Sequence, residues 1–219
     1  MRRFAILGDG FNNESTGFAT FLTAGQGLQC DNSDLDTYEW ALGFTMCLSS
    51  VTGTILANVA TSDGRNNWKI YFNKGALAYG DALQDVSTTF TPTIGVVYQV
   101  YVEVKALTVK VSWIGSNGTS GNDTQNKIDN SAYDSRLLVG TDSLGNRCPC
   151  YIRDVILSYG ALSPDNYFDS LYSRSDTYVF FPLRTDLLDL KGGLELISGA
   201  FSGCSWGYVG DTSPAKKWL

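Results

Sequence analysis

The chain has 219 residues, 43% of them apolar and 13% aromatic, enough for one well-packed core, and it has no apolar run long enough to cross a bilayer. Its formal charge is −6 with the basic residues scattered, which argues against the clustered cationic surface that neutralises nucleic-acid phosphates. It contains no histidine, so His-dependent triads, imidazole metal ligands and imidazole pH switches are excluded.

Glycine is abundant at 23 residues and proline scarce at 5, and Thr, Ser, Asn and Asp are frequent. That composition predicts many short strands joined by tight turns, with little helix. Residues 1–17 join the apolar MRRFAIL to the turn-rich GDGFNNESTG and read equally as a docking arm or as a first strand and loop. The apolar run is too short for a signal-peptide core, so the chain is expected to stay where it is made. From Phe18, FATFLTAGQGLQC and WALGFTMCL predict two strands around the acidic loop DNSDLD, where Asp31, Asp34 and Asp36 crowd together. The loop lacks EF-hand spacing, with its turn glycine and terminal glutamate, and reads as solvated. Thr54–Val59 predicts a short strand, and residues 61–67 a polar loop. Trp68, Ile70 and Phe72 then alternate on one face, Asn73-Lys74-Gly75 turns the chain, and Ala76–Tyr79 returns it as a hairpin.

Residues 81–92 read as an irregular link into the most regular stretch, YQVYVEVKALTVKVSWI from Tyr98 to Ile114. Val100, Val102 and Val104 share one face, as do Leu107, Val109, Val111 and Trp113 beyond Ala106, with Glu103, Lys105, Thr108 and Lys110 opposite. This period of two predicts an antiparallel hairpin with one buried face, which a second apolar sheet must cover. The other face, with Tyr101, Glu103, Lys105 and Lys110, is left for solvent or a partner. Residues 116–130, SNGTSGNDTQNKIDN, have no periodicity and are expected to be an exposed loop. RLLVG at 136–140 and YIRDVILSY at 151–159 are further strands. A capping Ser163, Pro164, Asp165 and the stripe Tyr167, Phe168, Leu171 and Tyr172 predict one short helix near 164–172. YVFFPL at 178–183 is a strand that Pro182 limits to an edge or end, and LELISGAFSGCSWGYV adds one more before a tail at 211–219. One sandwich domain is thus expected over 18–210.

Five cysteines, Cys30, Cys47, Cys148, Cys150 and Cys204, make an odd count without paired metal-type spacing, and are read as buried thiols in preference to disulfides. Cys148-Pro149-Cys150 has one residue fewer between its thiols than a Cys-x-x-Cys redox or metal pair.

The order of these pieces carries a resemblance. GFTMCLSS is followed by ILANVATSDGRNNWKIYFNKGALAYG, then YQVYVEVKALTVKVSWIGSNG, then RLLVGTDSLGNRCPCYIRDVILSYGALSPDNYFDSLY. From about Phe18 to Gly193 this resembles the concanavalin A-like lectin/glucanase jelly roll, in particular its laminin G-like and pentraxin-like members. Tyr98 stands where tryptophan is commoner in that family, and Cys150 where a larger residue or glycine is usual. FPLRTDLLDLKGG resembles a segment that many relatives carry at their amino end, which suggests a shifted or permuted arrangement. The resemblance implies two facing antiparallel sheets, with carbohydrate or protein bound on the concave face or at loop tips, sometimes through calcium. The residues that would match a calcium site are Asp63 with Asn66, or Asp142 with Asn146.

The same fold hosts glucanases, which need two neighbouring carboxylates, one protonated and one ionised. This chain has four glutamates, Glu14, Glu39, Glu103 and Glu195, far apart and in no Glu-x-Asp-x-x-Glu strand, so no enzyme activity is expected. Tyrosine and tryptophan give sugars a flat apolar surface with a polar edge. Of the candidate aromatics, Trp40, Trp68 and Trp113 are read as core, whereas Tyr71, Tyr79 and Tyr101 are left as candidate ligand-binding residues, together with Asn117 and Asn122 in the 116–130 segment. The odd cysteine count, the arm, the tail and the missing catalytic constellation, in a fold often displayed on virus and phage particles, lead to one expectation. It is a non-enzymatic structural or adhesion module at the virion surface or tail, made in the host cytoplasm as part of a larger assembly. Its partners are other virion proteins and host cell-surface glycan; a free carbohydrate-binding lectin is the alternative. Nucleic acid and membrane insertion are not expected, and calcium is the one ion the resemblance implies.

Overall fold

Apolar and polar side chains that alternate with a period of two, punctuated by glycine and asparagine, commit this chain to strands. The computed structural model describes residues 17–30, 39–60, 66–81, 83–128, 135–159, 177–183, 187 and 195–207. In chain order its strands are β1 (Phe18–Phe21), β2 (Leu28–Cys30), β3 (Trp40–Leu48), β4 (Gly53–Ala60), β5 (Asn66–Asn73), β6 (Ala76–Asp81) and β7 (Asp85–Ser87). They continue with β8 (Val97–Lys105), β9 (Thr108–Gly115), β10 (Ser120–Asn126), β11 (Ser135–Val139), β12 (Cys150–Tyr159), β13 (Thr177–Phe181) and β14 (Ser205–Gly207).

Two antiparallel sheets result. The larger has the order β10-β9-β8-β3-β12-β1-β14, with β13 also paired to β12; the smaller runs β2-β11-β4-β5-β6-β7. β12 serves two neighbours on one side because it changes register midway: Cys150–Ile152 pair with β1 and Val155–Ser158 with β13. The change is a bulge at Asp154, whose φ is +53° and whose N–H donates to the Pro182 carbonyl at 2.9 Å.

The expected hairpin forms, with Val100, Val102, Val104, Val109 and Val111 in the core opposite Trp68, Ile70, Phe72 and Leu77 of the smaller sheet. Trp40 of β3 stacks on Trp68 of β5 with centroids 4.4 Å apart and planes 27° from parallel, joining the two sheets by a ring pair. The second hairpin also forms. Lys74 and Gly75 both have positive φ, +50° and +86°, the geometry that lets a two-residue loop follow the strand twist.

Three expectations are corrected. Residues 120–126 are not loop but β10, an edge strand paired with β9 over its whole length. Its Ser, Gly, Asn and Asp are poor strand formers, and the ladder to β9 overrides them. The link at 81–92 contains β7, and Phe90 within it is buried. The outer face of the larger sheet is left to solvent only in part: Ala41, Thr45, Gln99, Tyr101, Ser112, Arg153 and Phe180 lie on it and are buried, whereas Glu103 and Lys110 are half-buried and Lys105 is exposed. β3 is buried at every position, which its near-continuous apolar run WALGFTMCL permits. The arm and the tail, Asp31, Asp34, Asp36 and Asp63, and the helix expected near 164–172 lie outside the described residues.

Candidate functional site

The exposed side of the smaller sheet is where chemistry gathers. Because Trp68, Ile70 and Phe72 face the core, Lys69, Tyr71 and Asn73 of β5 face outward, and the same alternation turns Ala76, Ala78 and Gly80 of β6 outward. Register does the rest. Lys69 lies opposite Gly80 and Gly80 opposite Asp85; Tyr71 lies opposite Ala78 and Ala78 opposite Ser87. The result is a shallow trough whose wall side chains meet over a strand of small residues, Ala78 beneath them being 1% exposed and Gly80 buried. Lys69 and Tyr71 form one wall, Asp85 and Ser87 the other.

The return of β7 is set locally. Asp81 Oδ1 accepts the N–H groups of Leu83 and Gln84 at 2.8 and 3.0 Å, and the Asp81 N–H donates to the Gln84 carbonyl at 2.9 Å. That tight turn brings Asp85 beside Gly80. A Cβ at position 80 would lie 2.5 Å from Asp85 Oδ1, 3.0 Å from Lys69 Cε and 3.1 Å from Tyr71 Cε1. A Cβ there would push these three side-chain ends apart. The Tyr71 hydroxyl donates to Asp85, and burial together with that carboxylate holds it well above the usual phenol range. Lys69 Nζ sits over the Tyr71 ring, 4.4 Å from its centroid. At the open end, Asn73 Nδ2 donates to Ser87 Oγ at 3.0 Å.

Of the expected ligand-binding residues, only Tyr71 lies here. Tyr79 is 2% exposed in the core, where burial and the nearby Asp81 carboxylate hold its hydroxyl far up. Tyr101 is 0% exposed on the covered face of β8. Neither ring is offered to a ligand from solution. Asn117 is exposed in the β9–β10 turn, its Oδ1 accepting the Thr119 N–H at 3.1 Å and the Thr119 hydroxyl at 2.7 Å. Asn122 is exposed on β10 opposite Ser112, in the other sheet from Tyr71. The five do not converge. Trp113 is half-buried and stacks on Phe90 at 4.5 Å.

The candidate calcium residues meet in part. Asn66 Oδ1 accepts the Ser143 N–H at 3.4 Å, so β5 reaches the turn that carries Asp142 and Asn146. Asp142 is buried and its oxygens are already engaged: Oδ1 accepts the N–H of Leu144 and of Asn146, and Oδ2 accepts the Thr54 hydroxyl and Asn146 Nδ2 at 3.1 Å each. This is a carboxylate that staples a turn, with its lone pairs occupied by donors. Among the described residues no group of three or more acids or cysteines is placed to hold a metal ion. None of the five cysteines forms a disulfide, and four are buried. Burial and the adjacent Cys148 push the Cys150 thiol well up, away from the thiolate that redox or metal chemistry needs.

Lys69 and Asp85 escaped the reading of the sequence. The signal was present in β6, where Ala76, Ala78 and Gly80 put only small residues on one face between two strands of polar ones.

No protein-family model matches the chain, and no curated protein sequence does. Solved structures do. A candidate carbohydrate-binding protein from Bacteroides ovatus superposes with a TM-score of 0.60 at 10% identity, covering 91% of this chain and 62% of that one. Domain 4 of AbnA, a GH43 extracellular arabinanase from Geobacillus stearothermophilus solved with arabinotriose, gives 0.53 at 16% identity over 68% of this chain and 74% of that one. Domains LG4-5 of the mouse laminin alpha1 chain give 0.52 at 10% identity, covering 83% of this chain but 46% of that pair. The chain therefore spans under half of the laminin pair and about six-tenths of the Bacteroides protein. The fold is the concanavalin A-like jelly roll, as the order of motifs implied.

Proposed function

We propose that this chain is a non-enzymatic glycan-binding module whose binding face is the trough on the smaller sheet. The observation that carries the reading is an outward-facing tyrosine flanked by an ammonium and a carboxylate above a floor of small residues. A pyranose presents a C–H face that packs on an aromatic ring, and its hydroxyls are served by the carboxylate beside it. The arabinotriose in the complex of the AbnA domain lends support at the level of fold.

The non-enzymatic reading is supported by how the acids are employed. Glu103 pairs with Lys105 at 2.9 Å, Asp142 is held by its own turn, and Asp123 is held by Thr89 and Gln125. Hydrolysis needs two carboxylates left facing one bond. We place the module on a virus or phage particle, as an adhesion or structural component; buried cysteines outside disulfides suit a protein that matures in a reducing cytoplasm.

A glycan array probed with the purified chain, beside a hydrolysis assay on every glycan bound, tests the reading. Binding without cleavage is expected. Cleavage of a bound glycan, or a blank array, contradicts it. Recovery of the chain from its native source only as a soluble monomer, never with particles, would contradict the particle setting.

A further inference from the structure

We propose that Lys69 is a displaceable lid on the Tyr71 ring and that Asp85 selects the ligand, so that the trough takes an uncharged pyranose with two neighbouring hydroxyls. The inference rests on the glycan reading above and names the ligand chemistry of that same site.

The lid follows from geometry. Lys69 Nζ stands 4.4 Å from the Tyr71 centroid, on the face of the ring. A sugar that stacks on that face and the ammonium cannot occupy the same place, so the ammonium must leave for stacking to occur. Lysine can do this, because its flexible stem carries a compact charge that water rehydrates readily. Lys69 also reaches over the floor, with Cε 3.0 Å from where a Cβ at Gly80 would lie, but Asp85 and Tyr71 stay against Gly80 when the ammonium leaves, so the surface its departure opens is the ring.

Selection follows from Asp85. It is exposed, and its carboxylate lies against Gly80 and accepts the Tyr71 hydroxyl. A carboxylate has room for further donors, and two adjacent sugar hydroxyls supply them. The same charge repels a uronate, sialate or sulfate brought against the tyrosine, and with Lys69 displaced no other cation among the described residues of the β5–β6–β7 ladder lies opposite it. The ammonium thus guards the ring, and the carboxylate sorts by charge.

The test uses the full chain and its Lys69→Ala and Asp85→Asn variants, with thermal melts to verify folding. Each is titrated with the best neutral glycan from the array and with uronated, sialylated and sulfated glycans. Lys69→Ala is expected to bind the neutral glycan about two- to five-fold more tightly, since the cation–π contact no longer competes. Asp85→Asn is expected to weaken neutral binding by about tenfold or more and to admit acidic glycans. A wild-type chain that prefers acidic glycans, a Lys69→Ala variant that binds no better, or an Asp85→Asn variant with unchanged selectivity overturns the inference and leaves the glycan reading standing. A wild-type chain that binds no glycan overturns both.

Discussion

Gly53 shows how tightly single positions are determined. Its φ is +82°, and a Cβ there would run into the backbone carbonyl of Arg147, with Cys148 N 2.9 Å away. The crowding has a purpose, since the Cys148 N–H donates to the Thr54 carbonyl at 2.9 Å and lays the 147–150 segment along β4. Gly53→Ala therefore combines a strained backbone with a collision against main chain that cannot swing aside. It should cost about 2–4 kcal/mol in a urea unfolding titration. Asp142 is the polar counterpart, and replacing it with asparagine should cost about 1–3 kcal/mol because a buried set of donors loses its anion. Adding calcium or a chelator should leave the wild-type melting temperature where it is, since those oxygens already serve donors; a calcium-dependent rise would restore the metal reading. The tyrosines show what was legible at this scale. Period two places Tyr71 opposite the core stripe of Trp68, Ile70 and Phe72, and Tyr79 with Leu77 on the core side. For Tyr101 the same rule gave the face correctly but not the burial, because alternation says nothing about what covers the second face.

At the level of elements, β10 is the main revision. Composition made it a loop, but Asp123 and its neighbours tie it to the edge of the opposite sheet. Asp123 Oδ2 accepts the Thr89 N–H at 2.7 Å just beyond β7, and Gln84 Nε2 donates to the Ile128 carbonyl at 3.1 Å. These bonds close the sandwich along one side, joining the ends of two sheets that share no ladder there. Burial pushes the Asp123 carboxyl up, but hydrogen bonds from the Thr89 backbone and side chain, the Gln125 amide and the Thr124 backbone together outweigh it and hold it below the usual carboxylate value. A depressed value means that the ionised form stabilises the fold. The contribution is full above the unfolded carboxylate pKa of about 4 and is lost as pH falls through the lower folded value. Asp123→Asn should therefore melt below wild type at neutral pH, by roughly 2–4 °C for each kcal/mol lost. The gap should close as pH falls below about 4; a gap independent of pH in thermal scans would rule out this role. The valine hairpin, by contrast, was legible because long alternation fixes both its type and its inner face.

For the whole molecule, two sheets meet across a core in which Trp40 and Trp68 stack ring on ring. Trp68→Ala removes one of the two tryptophans of that junction and should cost about 3–5 kcal/mol, read from denaturant unfolding. The architecture was legible because the order of strands and turns survives where residue identity does not: the solved relatives share 16% identity or less with this chain. The site was less legible because it is assembled by register. Lys69 and Asp85 are distant in type and sequence, and only the β5–β6–β7 ladder shows that both lie beside Gly80. Glycan binding in the trough of the smaller sheet is proposed to run through Tyr71. Calorimetric titration of the wild-type chain and of Tyr71→Ala, both verified as folded, with the best neutral glycan from the array tests it most directly. Saturable wild-type binding is expected, weakening by about tenfold or more in the variant as an aromatic platform is removed. Equal affinity in the two proteins would contradict it.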